Sequence, residues 1–197
     1  IDTKTARLEM GAAGAFSIPE DIVPSQPELG LNLNSVGFAT EPDLTKPFSF
    51  SFSSTAGNKW ISTKDDTLLF SDKYVQMDFT LPSDQIYGFG ERIHATKLDQ
   101  GAWTMWNKNK GPKLDDGYGR GVQSYGTHPF LLYKNPANNK FGGIFFRNSN
   151  NQSPIIVFEQ VGDNIQTNLS YITTGGKMEV YFFFDGTAEE IIRMYQT

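Results

Sequence analysis

The chain has 197 residues, 38% of them hydrophobic and 14% aromatic with sixteen phenylalanines, enough to bury one sizeable core. A net charge of −5 and an isoelectric point near 5.0 exclude nucleic acid as a partner, because no basic block offers itself to phosphates. The absence of cysteine removes disulfides, thiol nucleophiles and thiolate metal sites together, and the 2 histidines, His94 and His128, form no metal-binding spacing.

In chain order, the sequence starts at Ile1 without a methionine, from which a processed or trimmed N-terminus is expected. No apolar run in it approaches the roughly 20 residues of a membrane helix, so no membrane partner is expected. Ile1 to Ala15 is mildly polar and ends in the flexible run Gly11-Ala12-Ala13-Gly14. Phe16 to Pro47 carries Pro19, Pro24, Pro27, Pro42 and Pro47, too many for a helix or a central strand. It reads as an extended segment lying on the domain surface, with Phe16, Ile18, Ile22, Val23 and Phe38 as docking points.

From Phe48 the period becomes two. Phe48, Phe50 and Phe52 alternate with serines, the pattern of a half-buried strand. Lys59–Ser62 and Leu68–Phe70 are short strands, and Tyr74–Leu81 places Val75, Met77, Phe79 and Leu81 on one face before Pro82-Ser83-Asp84 breaks it. A long excursion follows, Ile86 to Phe130, polar and glycine-rich in its middle and carrying Trp103, Trp106, Tyr118 and Tyr125. A structureless stretch of this length in a compact domain is often functional. Aromatics beside amides suit a sugar, whose apolar face packs on an indole and whose hydroxyls need paired donors and acceptors.

Strands then return. Phe130–Tyr133 and Phe141–Arg147 read as a hairpin about a turn at Asn135 to Asn139. Ile155–Phe158, Ile165–Tyr171 and Met178–Phe184 follow, the last two joined by Thr173-Thr174-Gly175-Gly176, where the glycines suit positive backbone dihedrals. The spacing predicts an all-β antiparallel sandwich. Thr187 and Glu190 fit a capping box, with Ile191, Ile192 and Tyr195 as an apolar helical stripe. The sequence stops at Thr197 with that helix barely finished, as expected of a chain cut at a domain boundary.

The motifs that carry a family resemblance are LLFSDKYVQMDFTLPSDQIYGFGER at Leu68–Arg92, WTMWNKN at Trp103–Asn109, SYGTHPF at Ser124–Phe130, FRNSN at Phe146–Asn150 and YITTGGKMEVYFFF at Tyr171–Phe184. In this order and spacing they resemble glycoside hydrolase family 31, the α-glucosidase family, in its N-terminal domain of galactose-mutarotase-like fold. The resemblance runs from about Phe48 to Thr197 and is weaker before. It implies three parts: residues 1–47 as an extended segment docked on the sandwich, 48–186 as the sandwich with a substrate loop over 94–124, and 187–197 as a helical link. The link would lead to a (β/α)8 catalytic barrel that lies outside this sequence.

The activity implied is removal of terminal glucose from an α-linked oligosaccharide with retention of configuration. That chemistry uses two carboxylates, one as nucleophile and one as acid then base. Both would lie in the barrel, so no catalytic residue is assigned here, and no cofactor is implied. The family sends one loop over the barrel mouth to help form the leaving-sugar subsite, and Trp106-Asn107-Lys108-Asn109 match it. Relatives commonly carry Asp where this chain has Asn109; an amide lacks the charge that makes such hydrogen bonds about twice as strong.

Two readings stand open for each tip residue: substrate contact or a solvated loop amide for Asn109, and substrate contact or packing under the loop for Trp106. Trp103 is expected to pack beneath the loop. Asp115 and Asp116 read as solvated loop residues, and Glu91 as an anchor for loop amides or a nearby arginine. The alternatives to a glucosidase domain are a non-catalytic carbohydrate-binding or structural module, and an aldose mutarotase using His and Glu on the same fold. Asn168-Leu169-Ser170 and Asn151-Gln152-Ser153 are glycosylation sequons, the second weakened by Pro154, and suggest a secreted or lysosomal location.

Overall fold

A computed structural model describes residues 4–10, 49–63, 68–71, 73–107, 109, 111 and 121–197. The proposed docking points between Phe16 and Phe38, together with Phe48, Lys108, Asp115, Asp116 and Tyr118, lie outside the described residues.

In chain order the strands are β1 (Thr5–Met10), β2 (Ser51–Ser53), β3 (Lys59–Thr63), β4 (Leu69–Ser71), β5 (Tyr74–Leu81), β6 (Ile86–Gly88), β7 (Gly101–Ala102), β8 (Phe130–Asn135), β9 (Lys140–Phe146), β10 (Ile155–Val161), β11 (Asn164–Thr173) and β12 (Met178–Gly186). One helix, α1 (Ala188–Gln196), follows. The strands form two sheets, one in the order β1-β12-β9-β8-β6 and one in the order β2-β3-β5-β11-β10-β7 with β4 also on β5. Every pairing is antiparallel. The expected all-β sandwich with a short C-terminal helix is the fold observed.

Alternation decides which side chains meet between the sheets, because successive residues of a strand point to opposite faces. Val75, Met77, Phe79 and Leu81 of β5 are all buried, and so are Leu169 and Tyr171 of β11. From the other sheet come Val180 and Phe182 of β12 and Ile144 and Phe146 of β9. Phe146 stacks on Tyr171 with ring centroids 3.5 Å apart, and Phe79 meets Phe182 edge-on at 6.1 Å, so the aromatics close the gap between layers. Asn135, fully buried, ties the β8–β9 turn to the opposite sheet by donating to the Lys59 carbonyl at 2.9 Å.

One feature differs from the sequence reading. Thr5–Met10 is a full strand on the edge of the first sheet, paired in register with Met178–Phe183. Its signal was a short alternation: Ala6, Leu8 and Met10 pack on the core, while Arg7 and Glu9 face outward and pair with Glu179 and Lys177. The turn at Gly175 (φ 140°) and Gly176 (φ 82°) has the expected positive dihedrals and carries the chain from one sheet to the other.

The helix caps as expected. The Glu190 amide donates to Thr187 Oγ1 at 3.2 Å and the Thr187 amide to Glu190 Oε2 at 2.8 Å. Ile191 is buried against the outer face of the first sheet, and Tyr195 stacks on Phe130 at 4.4 Å. A Cβ on Gly143 would lie 2.7 Å from Ile191 Cγ2, so the missing side chain there lets the helix approach β9 closely.

Candidate functional site

The excursion between β6 and β8 leaves the first sheet at Gly88. This residue has φ 131°, and a Cβ there would lie 2.2 Å from the Phe130 carbonyl oxygen, so only glycine fits. The chain then crosses to the second sheet. β7 pairs with β10 at Ile155 and Ile156, the Trp103 amide donates to the Pro154 carbonyl at 2.8 Å, and Met105 exchanges hydrogen bonds with Gln152 at 2.7 and 3.1 Å. The outgoing limb is thereby stitched to the second sheet.

The returning limb is stitched to the continuation of β6. The Ser124 amide donates to the Glu91 carbonyl at 2.9 Å, the Glu91 amide to Gly126 at 3.1 Å, and the His128 amide to Gly90 at 2.8 Å. The Glu91 carboxylate accepts the Gly126 amide at 2.9 Å, which is the loop-anchoring role expected of it. The tip between these limbs carries the two sequence-derived site residues. Trp106 is 51% exposed and Asn109 is exposed.

Trp103, three residues before Trp106, has the opposite fate. It is buried at 1% exposure and its indole donates to the Asp99 carbonyl at 2.9 Å. The His94 ring meets it edge-on at 5.0 Å and the Arg92 guanidinium lies 5.4 Å from its centroid. Burial lowers the His94 pKa below its ordinary value, with the Ala95 carbonyl on Nδ1 offsetting part of the effect. His128 sits in a different neighbourhood, on a cavity of about 320 Å³ between β6, β8 and α1 that is lined by Tyr87, Phe89, Phe130, Ile192 and Tyr195. Sequence reading missed this cavity; its one signal is that Ile192 and Tyr195 extend the helical stripe beyond what Ile191 alone needs to dock.

Of the sequon residues, Asn168 lies mid-strand on β11 and donates to Glu159 Oε2 at 2.7 Å, whereas Asn151 is exposed just before the bridge at Gln152. Among the described residues no helix is long and apolar enough to cross a membrane.

Residues 19–153 match the family described as the glycosyl hydrolase 31 N-terminal galactose mutarotase-like domain. The chain belongs to glycosyl hydrolase family 31. The family 31 match starts upstream of the motifs that first suggested it, inside the proline-bearing segment. Human intestinal sucrase-isomaltase is 28% identical over 151 residues, 76% of this chain and 8% of that protein. Rat lysosomal alpha-glucosidase is 28% identical over 142 residues, 71% of this chain and 13% of that protein. In fold, the chain is similar to a crystal structure of the glucosidase II alpha subunit bound to alpha3-Glc2, with TM-score 0.63 and 16% identity over 75% of this chain and 21% of that one. This family 31 chain therefore spans a small fraction of the glycosidases it matches.

Proposed function

We propose that this chain is the N-terminal domain of a retaining α-glucosidase that removes terminal α-linked glucose from oligosaccharides. The family match over residues 19–153 carries the reading. In it the three parts are the docked segment 1–47, of which β1 is the described portion, the sandwich 48–186, and the helical link 187–197. The sandwich supports a (β/α)8 catalytic domain of the same protein, and that domain supplies both catalytic carboxylates. Glu91, the carboxylate that follows β6, serves in this reading as a loop anchor that accepts the Gly126 amide.

The tip lends Trp106 and Asn109 to the leaving-sugar subsite, where an exposed indole offers an apolar face and an amide both a donor and an acceptor. The exposure of both residues on limbs fixed to two different sheets supports this role. The similarity to an intestinal and a lysosomal enzyme supports a secreted or lysosomal location.

The test is turnover of an α-linked glucose disaccharide by the 197-residue chain and by the full-length protein. Turnover is expected from the full-length protein alone. Turnover by the isolated chain would contradict the placement of the catalytic pair.

A further inference from the structure

We propose that Arg92 is the positioning residue of the tip, its guanidinium tying together the two limbs that carry Trp106 and Asn109. The proposal rests on the reading of that tip as part of the leaving-sugar subsite.

The outgoing limb is bonded to the second sheet and the returning limb to the continuation of β6 in the first. A bond that crosses from one to the other would fix their mutual spacing. Arg92 makes it. One terminal nitrogen, Nη2, donates to the Thr104 carbonyl on the outgoing limb and to Gln123 Oε1 on the returning limb, the latter at 3.1 Å. The other, Nη1, donates to the Gly121 carbonyl at 3.5 Å. The group lies over the ring of Trp103, the buried anchor of the outgoing limb, with Cζ 5.4 Å from the ring centroid.

Both limbs are prepared for this tie. Gln123 is buried, and its amide nitrogen donates to the Gly126 carbonyl, which leaves its oxygen turned to Arg92. Gly121 has φ 68°, and a Cβ there would lie 2.1 Å from the Ile93 carbonyl oxygen, so the returning limb presses directly on the residue after Arg92. A fork of fixed geometry can serve acceptors on two limbs at once. A lysine ammonium carries the same charge at a single point and cannot reproduce that fork.

The experiment uses Arg92→Met and Arg92→Lys in the full-length protein, with hydrogen exchange and steady-state kinetics on each. Amides of residues 103–105 and 121–126 should exchange about tenfold faster in both variants, the size of one lost hydrogen bond, while those of β5 and β11 are unchanged. KM for an α-linked disaccharide should rise about three- to tenfold, with a smaller change for an activated aryl glucoside, which brings no second sugar. Unchanged exchange in the two limbs overturns the proposal, and so does an equal loss on both substrates, which is what a merely structural role gives. If Arg92→Lys matches the wild type in both measurements, charge alone suffices and the fork is refuted. Faster exchange with unaltered disaccharide kinetics leaves the tie standing and contradicts the sugar-contact reading instead. Arg92→Lys keeps the test usable should Arg92→Met fail to fold.

Discussion

Trp103 and Trp106 lie three residues apart, and their replacement by alanine should separate packing from recognition. Trp103 is 1% exposed and in contact with His94 and Arg92, so Trp103→Ala empties a buried indole site. Large-to-small changes of this kind cost about 3–5 kcal/mol. Part of the loss is the cation–π contact with Arg92, worth about 1 kcal/mol when partly desolvated. The Asp99 carbonyl adds little, because Asp99 is exposed and water can replace the indole N–H. Trp106 is 51% exposed, and Trp106→Ala should cost less than about 1 kcal/mol. Urea unfolding of the 197-residue chain, followed by circular dichroism so that the lost fluorophore does not matter, measures both. For a domain of this size, a cost of about 4 kcal/mol corresponds to a midpoint drop of about 8–16 °C in a thermal scan. Equal costs for the two variants, or a cost below about 1.5 kcal/mol for Trp103→Ala, would refute the assignment of one indole to the core and the other to the surface.

Further outcomes follow from buried polar groups. Glu179 accepts the Tyr181 hydroxyl at 2.7 Å and lies 2.8 Å from Arg7 and 3.2 Å from Arg147. Burial pushes its pKa up, but the Tyr181 hydrogen bond and the two arginines outweigh that and hold it below the ordinary value of 4.5. The resulting stability is present above pH 4.5 and fades as the pH falls through the lowered folded-state value. Glu179→Gln should therefore lower neutral-pH stability by about 1–2 kcal/mol, between the exposed and buried limits for ion pairs. The gap from wild type should close in acid; a gap that stays constant down to about pH 3 contradicts the linkage. Tyr133 is fully buried and its hydroxyl finds no partner among the described residues. Tyr133→Phe should be neutral or stabilising by about 1 kcal/mol in the same unfolding assay, because nothing is lost but an unpaired polar atom.

The sandwich was legible where the period was clean. β5 reads directly from Val75, Met77, Phe79 and Leu81, and the capping box at Thr187 and Glu190 marks the start of α1 to the residue. β1 was not, because six residues with one apolar face look like ordinary polar chain until β12 is there to pair with them. The crossing at Gly175 and Gly176 carries the same local dihedrals as a hairpin turn, and only the partners of β11 and β12 distinguish the two. Within the long excursion, Glu91 and Trp103 behave as their residue types suggest. The division of labour between two limbs on two sheets could not be read, since it depends on which strand Gln152 and Pro154 adjoin. Arg92 was hidden for the same reason: its partners Thr104, Gly121 and Gln123 lie 12 to 31 residues away in sequence.

In the proposed function, Asn109 meets the leaving sugar. The most direct measurement is the ratio of kcat/KM for an α-linked disaccharide to that for an activated aryl glucoside, in the full-length protein and its Asn109→Asp and Asn109→Ala variants. A carboxylate accepts hydroxyl hydrogen bonds about twice as strongly as an amide, so the ratio should shift by roughly threefold to tenfold with Asn109→Asp. It should fall with Asn109→Ala. An identical ratio in all three proteins would contradict the claim and remove Asn109 from the site.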